Sequence, residues 1–216
     1  MPVDPQIQAL LDKSTGVPAT HTLPVDTARA QYEARVALMA PPADIASVRE
    51  RAIDGPGGPL RIRIYTPHGR GPFPLLVFFH GRGFVLSSLE THDGMCRNLC
   101  ARAGCVVASV DYRIAPEYKF PAAIDDCLHA TRWAAAHAAE LGANAMRVAV
   151  AGDSNGANMA AVTALRVRDE GGPLLCGQLL LYPVTDYHSP GTPSYEKNAE
   201  GYGFTRDTMS GSGRII

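Results

Sequence analysis

Arg147 to Met159, RVAVAGDSNGANM, is the stretch whose reading decides the fold. Val148, Ala149, Val150 and Ala151 form a short apolar run of strand character, Ala157, Met159, Ala160, Ala161 and Val162 open a helical pattern, and Ser154 stands where one becomes the other. A turn that tight strains the backbone and directs the serine hydroxyl away from the sheet. Gly152 and Gly156 remove the side chains that would collide there, and Asp153 and Asn155 complete the turn. Ser154 is therefore a candidate nucleophile. The pattern G-x-S-x-G alone is moderate support, because a chain with 21 glycines in 216 residues would contain it by chance about 0.1 times.

A second segment strengthens the reading. Pro74 to Phe84, PLLVFFHGRGF, is another apolar strand that ends abruptly, here in His80 and the glycine-rich turn Gly81, Arg82 and Gly83. In a parallel sheet, ligands sit beyond the carboxyl ends of the strands. The backbone N–H groups of Gly81, Arg82 and Gly83 are therefore expected to converge with that of Asn155 beside Ser154, as an oxyanion hole. His80 is expected to support this turn rather than to carry protons.

The rest of the chain fits around these two loops. Pro5 to Lys13 and Asp26 to Met39 read as two amphipathic helices, and Pro41-Pro42 marks a boundary after them. The alternating runs Ser47 to Ile53 and Leu60 to Tyr65 flank the turn signal DGPGG and predict a hairpin. From there strands and helices take turns: helix Thr91 to Ala103, strand Cys105 to Asp111, helix Ala122 to Leu141, strand Arg147 to Ala151, helix Asn155 to Asp169 and strand Gly177 to Tyr182. Such crossover units predict an α/β fold with a mostly parallel sheet. The expected organisation is N-terminal cap helices over residues 1–45 and an α/β core over 46–216 that ends in the start of a second cap segment.

HGRGF resembles the HGGG turn of the hormone-sensitive-lipase-like (bacterial family IV) esterases and lipases, and GDSNGAN resembles their nucleophile turn. DYRIAPEYKFP, Asp111 to Pro121, and LLLYPVTD, Leu179 to Asp186, are similar to the family's segments in the same order, and DPQIQALL resembles its N-terminal cap helix. The resemblance runs to about Met209 and implies the α/β-hydrolase fold, a serine nucleophile at Ser154 and hydrolysis of small-molecule esters with short or medium acyl groups. It implies no cofactor and no metal. Asp111 and Glu117, which look like paired catalytic carboxylates, become structural residues bracing the turn behind the oxyanion loop.

The family's later acid and histidine segments have no counterpart here. Its triad runs Ser, then Asp or Glu, then His, yet His188 is the one histidine after Ser154, two residues from Asp186. His21, His68, His80, His92, His129 and His137 all precede the serine, and none sits where the family's base would. An improvised dyad of Asp186 and His188 is the alternative to a polar, proline-punctuated loop, which is the preferred reading of YHSPGTPSYEK. The tail SGSGRII, from Ser210, also departs from the helix the family carries there. The expectation is a core lacking its last strands and very low activity; the truncation would be natural, a frameshift or deliberate. A non-catalytic binding or assembly module is the alternative. If Gly177 to Tyr182 is the last strand, its apolar edge predicts dimers or aggregates. Arg82 is a second departure: if the turn needs positive φ there, one oxyanion donor is displaced, and if not, Arg82 and Gly83 donate alongside Asn155.

Composition excludes several classes. A chain 46% hydrophobic and 19% charged is globular rather than disordered. A net charge of −1, with arginines scattered over many elements, gives no electrostatic case for nucleic acid. MPVDPQIQALLDKS has neither a basic start nor a long apolar stretch, so no membrane span and a cytoplasmic location are expected. Cysteines 96, 100, 105, 127 and 176 are read as free buried thiols rather than as metal ligands.

Overall fold

The computed structural model describes residues 3–13, 16–187, 189 and 191–215. Strands β1 (Ser47–Gly55) and β2 (Gly58–Thr66) form the expected antiparallel hairpin, closing with Gly55 opposite Gly58. Then β3 (Phe73–Phe79), β4 (Val106–Val110), β5 (Ala143–Asp153) and β6 (Leu175–Leu181) run parallel to one another, and β2 meets β4 antiparallel. The six strands make one sheet in the order β1-β2-β4-β3-β5-β6.

Strand β3 explains why its sequence is apolar without alternation. Leu75, Val77 and Phe79 face Cys127, Ala130 and Ala134 of helix α4 (Ala122–Ala136) and Met159 and Ala160 of α5 (Asn155–Asp169). Leu76 and Phe78 face Cys96 and Cys100 of α3 (Leu89–Ala103) on the opposite side. A strand covered on both faces must be apolar at every position. Each large side chain fully removed from water here contributes about 1.5–3 kcal/mol.

The cap departs from the simplest reading. Helix α1 (Pro5–Lys13) has no buried residue, and α2 spans only Val25–Glu33 before the chain tightens into a 3₁₀ segment, Ala34–Leu38, rather than continuing to Met39. Helix α3 begins two residues earlier than expected, because Thr91 Oγ1 accepts the N–H of Ser88 at 3.1 Å and caps the first turn. Helix α4 stops at Ala136, where His137 donates its Nδ1–H to the carbonyl of Trp133 at 2.8 Å and stacks on its indole at 4.6 Å.

Two expectations are corrected. After the short helix α6 (Pro193–Lys197), the SGSGR tail is helical, within α7 (Arg206–Ile215): Thr205 Oγ1 accepts the N–H of Thr208 at 3.1 Å as an N-cap, and glycine costs a helix about 1 kcal/mol rather than forbidding it. Cys96, Cys100, Cys105 and Cys127 are buried free thiols, but Cys176 is exposed, because it lies on β6 at the edge of the sheet. Among the described residues no helix is long and apolar enough to cross a membrane.

Candidate active site

Strands β3 and β5 are parallel neighbours with Phe79 opposite Gly152, so the two glycine-rich loops leave the sheet side by side. Ser154 takes φ +54, a region that non-glycine residues rarely visit. Its strain is held by backbone bonds: its N–H donates to Leu181 O at 2.9 Å, and its carbonyl accepts from Asn158 and Val184, each at 3.2 Å. Both flanking glycines are required. A Cβ at Gly156 would overlap Phe79 O and stand 2.7 Å from the carbonyl of His80, and one at Gly152 would overlap the backbone of Gly156.

The 80–84 turn is held by side chains instead. Gly81 donates its N–H to Asp153 Oδ1 at 2.8 Å, and a Cβ on Gly81 would collide with the same carboxylate. Burial acts against the charge of Asp153, but His92, 3.3 Å away through Nε2, together with the Gly81 N–H and His80, holds its carboxyl below the usual range. Ser87 donates its hydroxyl to Gly81 O and lies 2.8 Å from His80 Nδ1, so that nitrogen carries the ring proton. His80 is fully buried and stacks on Tyr112 at 4.4 Å; burial, and then the neighbouring His92, push its pKa down to about 3. The ring is therefore neutral, packed beneath the turn.

Tyr112 ties the two loops together. Its hydroxyl donates to His80 O at 2.5 Å and accepts from Asn155 Nδ2 at 3.0 Å. The side chain of Asn155 is thereby fixed, and its backbone N–H belongs to the first turn of α5, where helix geometry supplies no acceptor. Arg82, Gly83 and Phe84 have φ of +102, +69 and +64. The turn does need positive φ at position 82, but the arginine itself adopts it, at a cost of order 1–3 kcal/mol, so the displaced N–H expected for that case does not follow.

A family model described as the alpha/beta hydrolase fold matches residues 76–215. The carboxylesterase NlhH of Mycobacterium tuberculosis is 41% identical over 213 residues, covering 96% of this chain and 65% of its own. The esterase LipI of the same organism is 49% identical over 156 residues, covering 71% of this chain and 48% of its own. The solved structure of a hyperthermophilic esterase from the archaeon Pyrobaculum calidifontis superposes with a TM-score of 0.94 at 40% identity, covering 100% of this chain and 71% of that one. The chain belongs to the hormone-sensitive-lipase-like α/β-hydrolases. It spans about half to two thirds of the length of these two curated relatives.

In this α/β-hydrolase the N–H of Gly81, expected among the oxyanion donors, is committed to Asp153 and so holds the 80–84 turn instead. Asp111 and Glu117 do not face one another as a catalytic pair. Asp111 binds Arg61 at 3.0 Å, and Glu117 receives Arg29 through two bonds of 2.7 and 2.8 Å. Arg29 also donates to Val85 O at 2.8 Å and Ala115 O at 2.9 Å, so helix α2 braces the chain just after the 80–84 turn. Its bond to Glu117 holds that carboxyl at about 2. Of these supports, Ser87, His92, Tyr112 and Arg29 escaped the sequence reading of the site; nothing in their spacing marks them.

No described histidine or carboxylate hydrogen-bonds the Ser154 hydroxyl. His92 has both ring nitrogens occupied, by Thr91 Oγ1 at 2.9 Å and by Asp153, so neither is left for the serine of this hydrolase. Asp186 is exposed and accepts the N–H of Tyr187 at 2.7 Å, and His188 lies outside the described residues. Among the described residues no group of three His, Cys, Asp or Glu side chains is arranged to hold a metal. Beside Arg82 and Gly83 opens a cavity of about 340 Å³. Its wall includes Arg82 and Gly83 of the 80–84 turn but not Ser154, and it is lined besides by Leu23, Val25 and Ala28 and by Phe204 and Thr208.

Proposed function

We propose that the protein is a carboxylic ester hydrolase acting on small esters with short or medium acyl groups, with Ser154 as nucleophile. The observation that carries this reading is the strained Ser154 at φ +54, joined through Asp153 to a turn whose three successive residues also hold positive φ. Ser154 Oγ attacks the acyl carbon and gives up its proton, while the N–H groups of Arg82, Gly83 and Asn155 receive the oxygen as it becomes anionic. Collapse of that intermediate expels the alcohol, which takes up a proton and leaves an acyl-serine for water to hydrolyse. A base on the Ser154 hydroxyl is the part that the described residues do not supply. Absence of a triad base lowers turnover by about 10⁶ in serine hydrolases, so this chain by itself is expected to turn over slowly.

The test is labelling by a fluorophosphonate probe together with p-nitrophenyl butyrate hydrolysis, with Ser154→Ala as control. Labelling confined to Ser154 supports the nucleophile, and labelling that persists in the alanine variant overturns it. Turnover at rates typical of complete esterases would overturn the expectation of low activity.

The exposed edge of β6 carries a second proposal, that two copies associate through it. Leu179 is 40% exposed there, and an unpaired apolar edge is a template for another strand. Sedimentation equilibrium is expected to show dimers or larger species; a monodisperse monomer across micromolar concentrations rules this out.

A further inference from the structure

Arg82 stands apart from every other arginine held inside this molecule. Arg29, Arg63, Arg97, Arg113, Arg132 and Arg166 are all partly buried, and each has a carboxylate within 4 Å. Among the described residues Arg82 is the one partly buried arginine without such a partner. Its guanidinium lies over the ring of Tyr32, 4.1 Å from the centroid, and Arg35 approaches the same ring at 5.9 Å. Both arginines line the 340 Å³ cavity beside the oxyanion turn, and no Asp or Glu is among its lining residues.

The energetics make this arrangement costly to the folded chain. Positive φ at a residue with a Cβ strains the backbone, and a cation over an aromatic ring at a partly exposed site returns only part of that cost. Burial disfavours the Arg82 charge and the like charge of Arg35 adds to that, while Tyr32 and the more distant Asp153 offset part of it. A guanidinium kept half out of water with no carboxylate within 4 Å is a receptor for an anion, and a planar carboxylate matches its fork of donors.

We propose that this cavity selects esters that carry a carboxylate, such as half-esters of dicarboxylic acids, with Arg82 as the specificity-determining residue and Arg35 as its auxiliary. The inference rests on the proposed esterase reading, since it makes the cavity the substrate side of the Ser154 site. The neutral end of the substrate lies toward the oxyanion turn, and its carboxylate lies against the two guanidinium groups under the cap.

The experiment measures binding rather than turnover, so that it stays readable whether or not Ser154 is the nucleophile. Ser154→Ala protein is titrated calorimetrically at low ionic strength with monoethyl glutarate, which carries a carboxylate, and with the neutral diethyl glutarate. The half-ester is expected to bind about ten-fold more tightly, the scale of one charge-assisted bidentate contact. That preference should shrink in 0.5 M salt, fall to about one in Arg82→Met, and be partly kept in Arg35→Met, each variant being checked by its thermal melt. Arg35→Met alone is informative if Arg82→Met does not fold, because it too must reduce the preference. Equal binding of the two compounds, no binding of the half-ester to folded protein, or a preference unchanged in both variants overturns the proposal. Failure of probe labelling at Ser154 alongside a preserved charge preference would instead fault the esterase reading.

Discussion

The two loops at the head of the sheet carry similar backbone strain but are held in opposite ways. The Ser154 turn is fixed by the backbone: three main-chain hydrogen bonds and two glycines packed against main-chain atoms leave its side chains little to do. The 80–84 turn is fixed by side chains brought from elsewhere, namely Asp153, Ser87, Tyr112 and Arg29. The Ser154 turn is therefore held by geometry that glycine substitutions break, whereas the 80–84 turn depends on distant residues and on their charge states.

That contrast can be broken most severely at Gly156. Alanine there overlaps Phe79 O, which neither backbone can relieve, and the expected loss is about 3 kcal/mol or more. Urea unfolding or soluble yield measures it, and a melt within a degree or two of the parent would show that the turn is softer than described. A smaller effect separates the loops by pH. His80 is neutral in the fold with a pKa of about 3 and an ordinary value of 6.5, so the unfolded chain gains a proton first as pH falls. Its contribution is complete above pH 6.5 and is lost on the way down to about 3, which amounts to about 1.4 kcal/mol between pH 7.5 and 5.5. His80→Asn, with no ring to protonate, should lack that slope; the same slope in both proteins would remove His80 from the account. The smallest effect concerns Glu117, whose depressed pKa stabilises the fold above about 4.5 and loses that effect as pH falls toward 2. Because the pair is half exposed, Glu117→Gln is expected to cost no more than about 1 kcal/mol at pH 6. The gap should narrow with acid, and a gap that widened would mean that Arg29 gains little from its partner.

The same contrast explains what could be read from sequence. Gly152 and Gly156 announce the Ser154 turn because backbone crowding demands glycine at fixed spacing, and β3 announces itself because a strand covered on both faces tolerates no polar residue. The parallel crossover units and the start and end of α5 followed from such local signals. Tyr112 and Arg29 gave no signal: a tyrosine after a strand and an arginine in a cap helix have many common uses, and only the folded distances of 2.5 and 2.8 Å reveal these. The glycine-bearing tail misled because composition outweighed the N-cap at Thr205. Arg82 was recognised as out of place, but whether the turn would tolerate its Cβ was a question of φ, which sequence does not carry.

Arg29 has a consequence for motion. Its four hydrogen bonds reach Val85, Ala115 and Glu117 from a helix with a single buried residue, Ala28. Helix α2 therefore has little apolar anchorage of its own, and its local opening free energy is set largely by one side chain. When α2 detaches, the carbonyls of Val85 and Ala115 behind the 80–84 turn lose their donor at the same moment, so the two segments should exchange their amide hydrogens as a single cooperative unit, faster than the sheet beneath them.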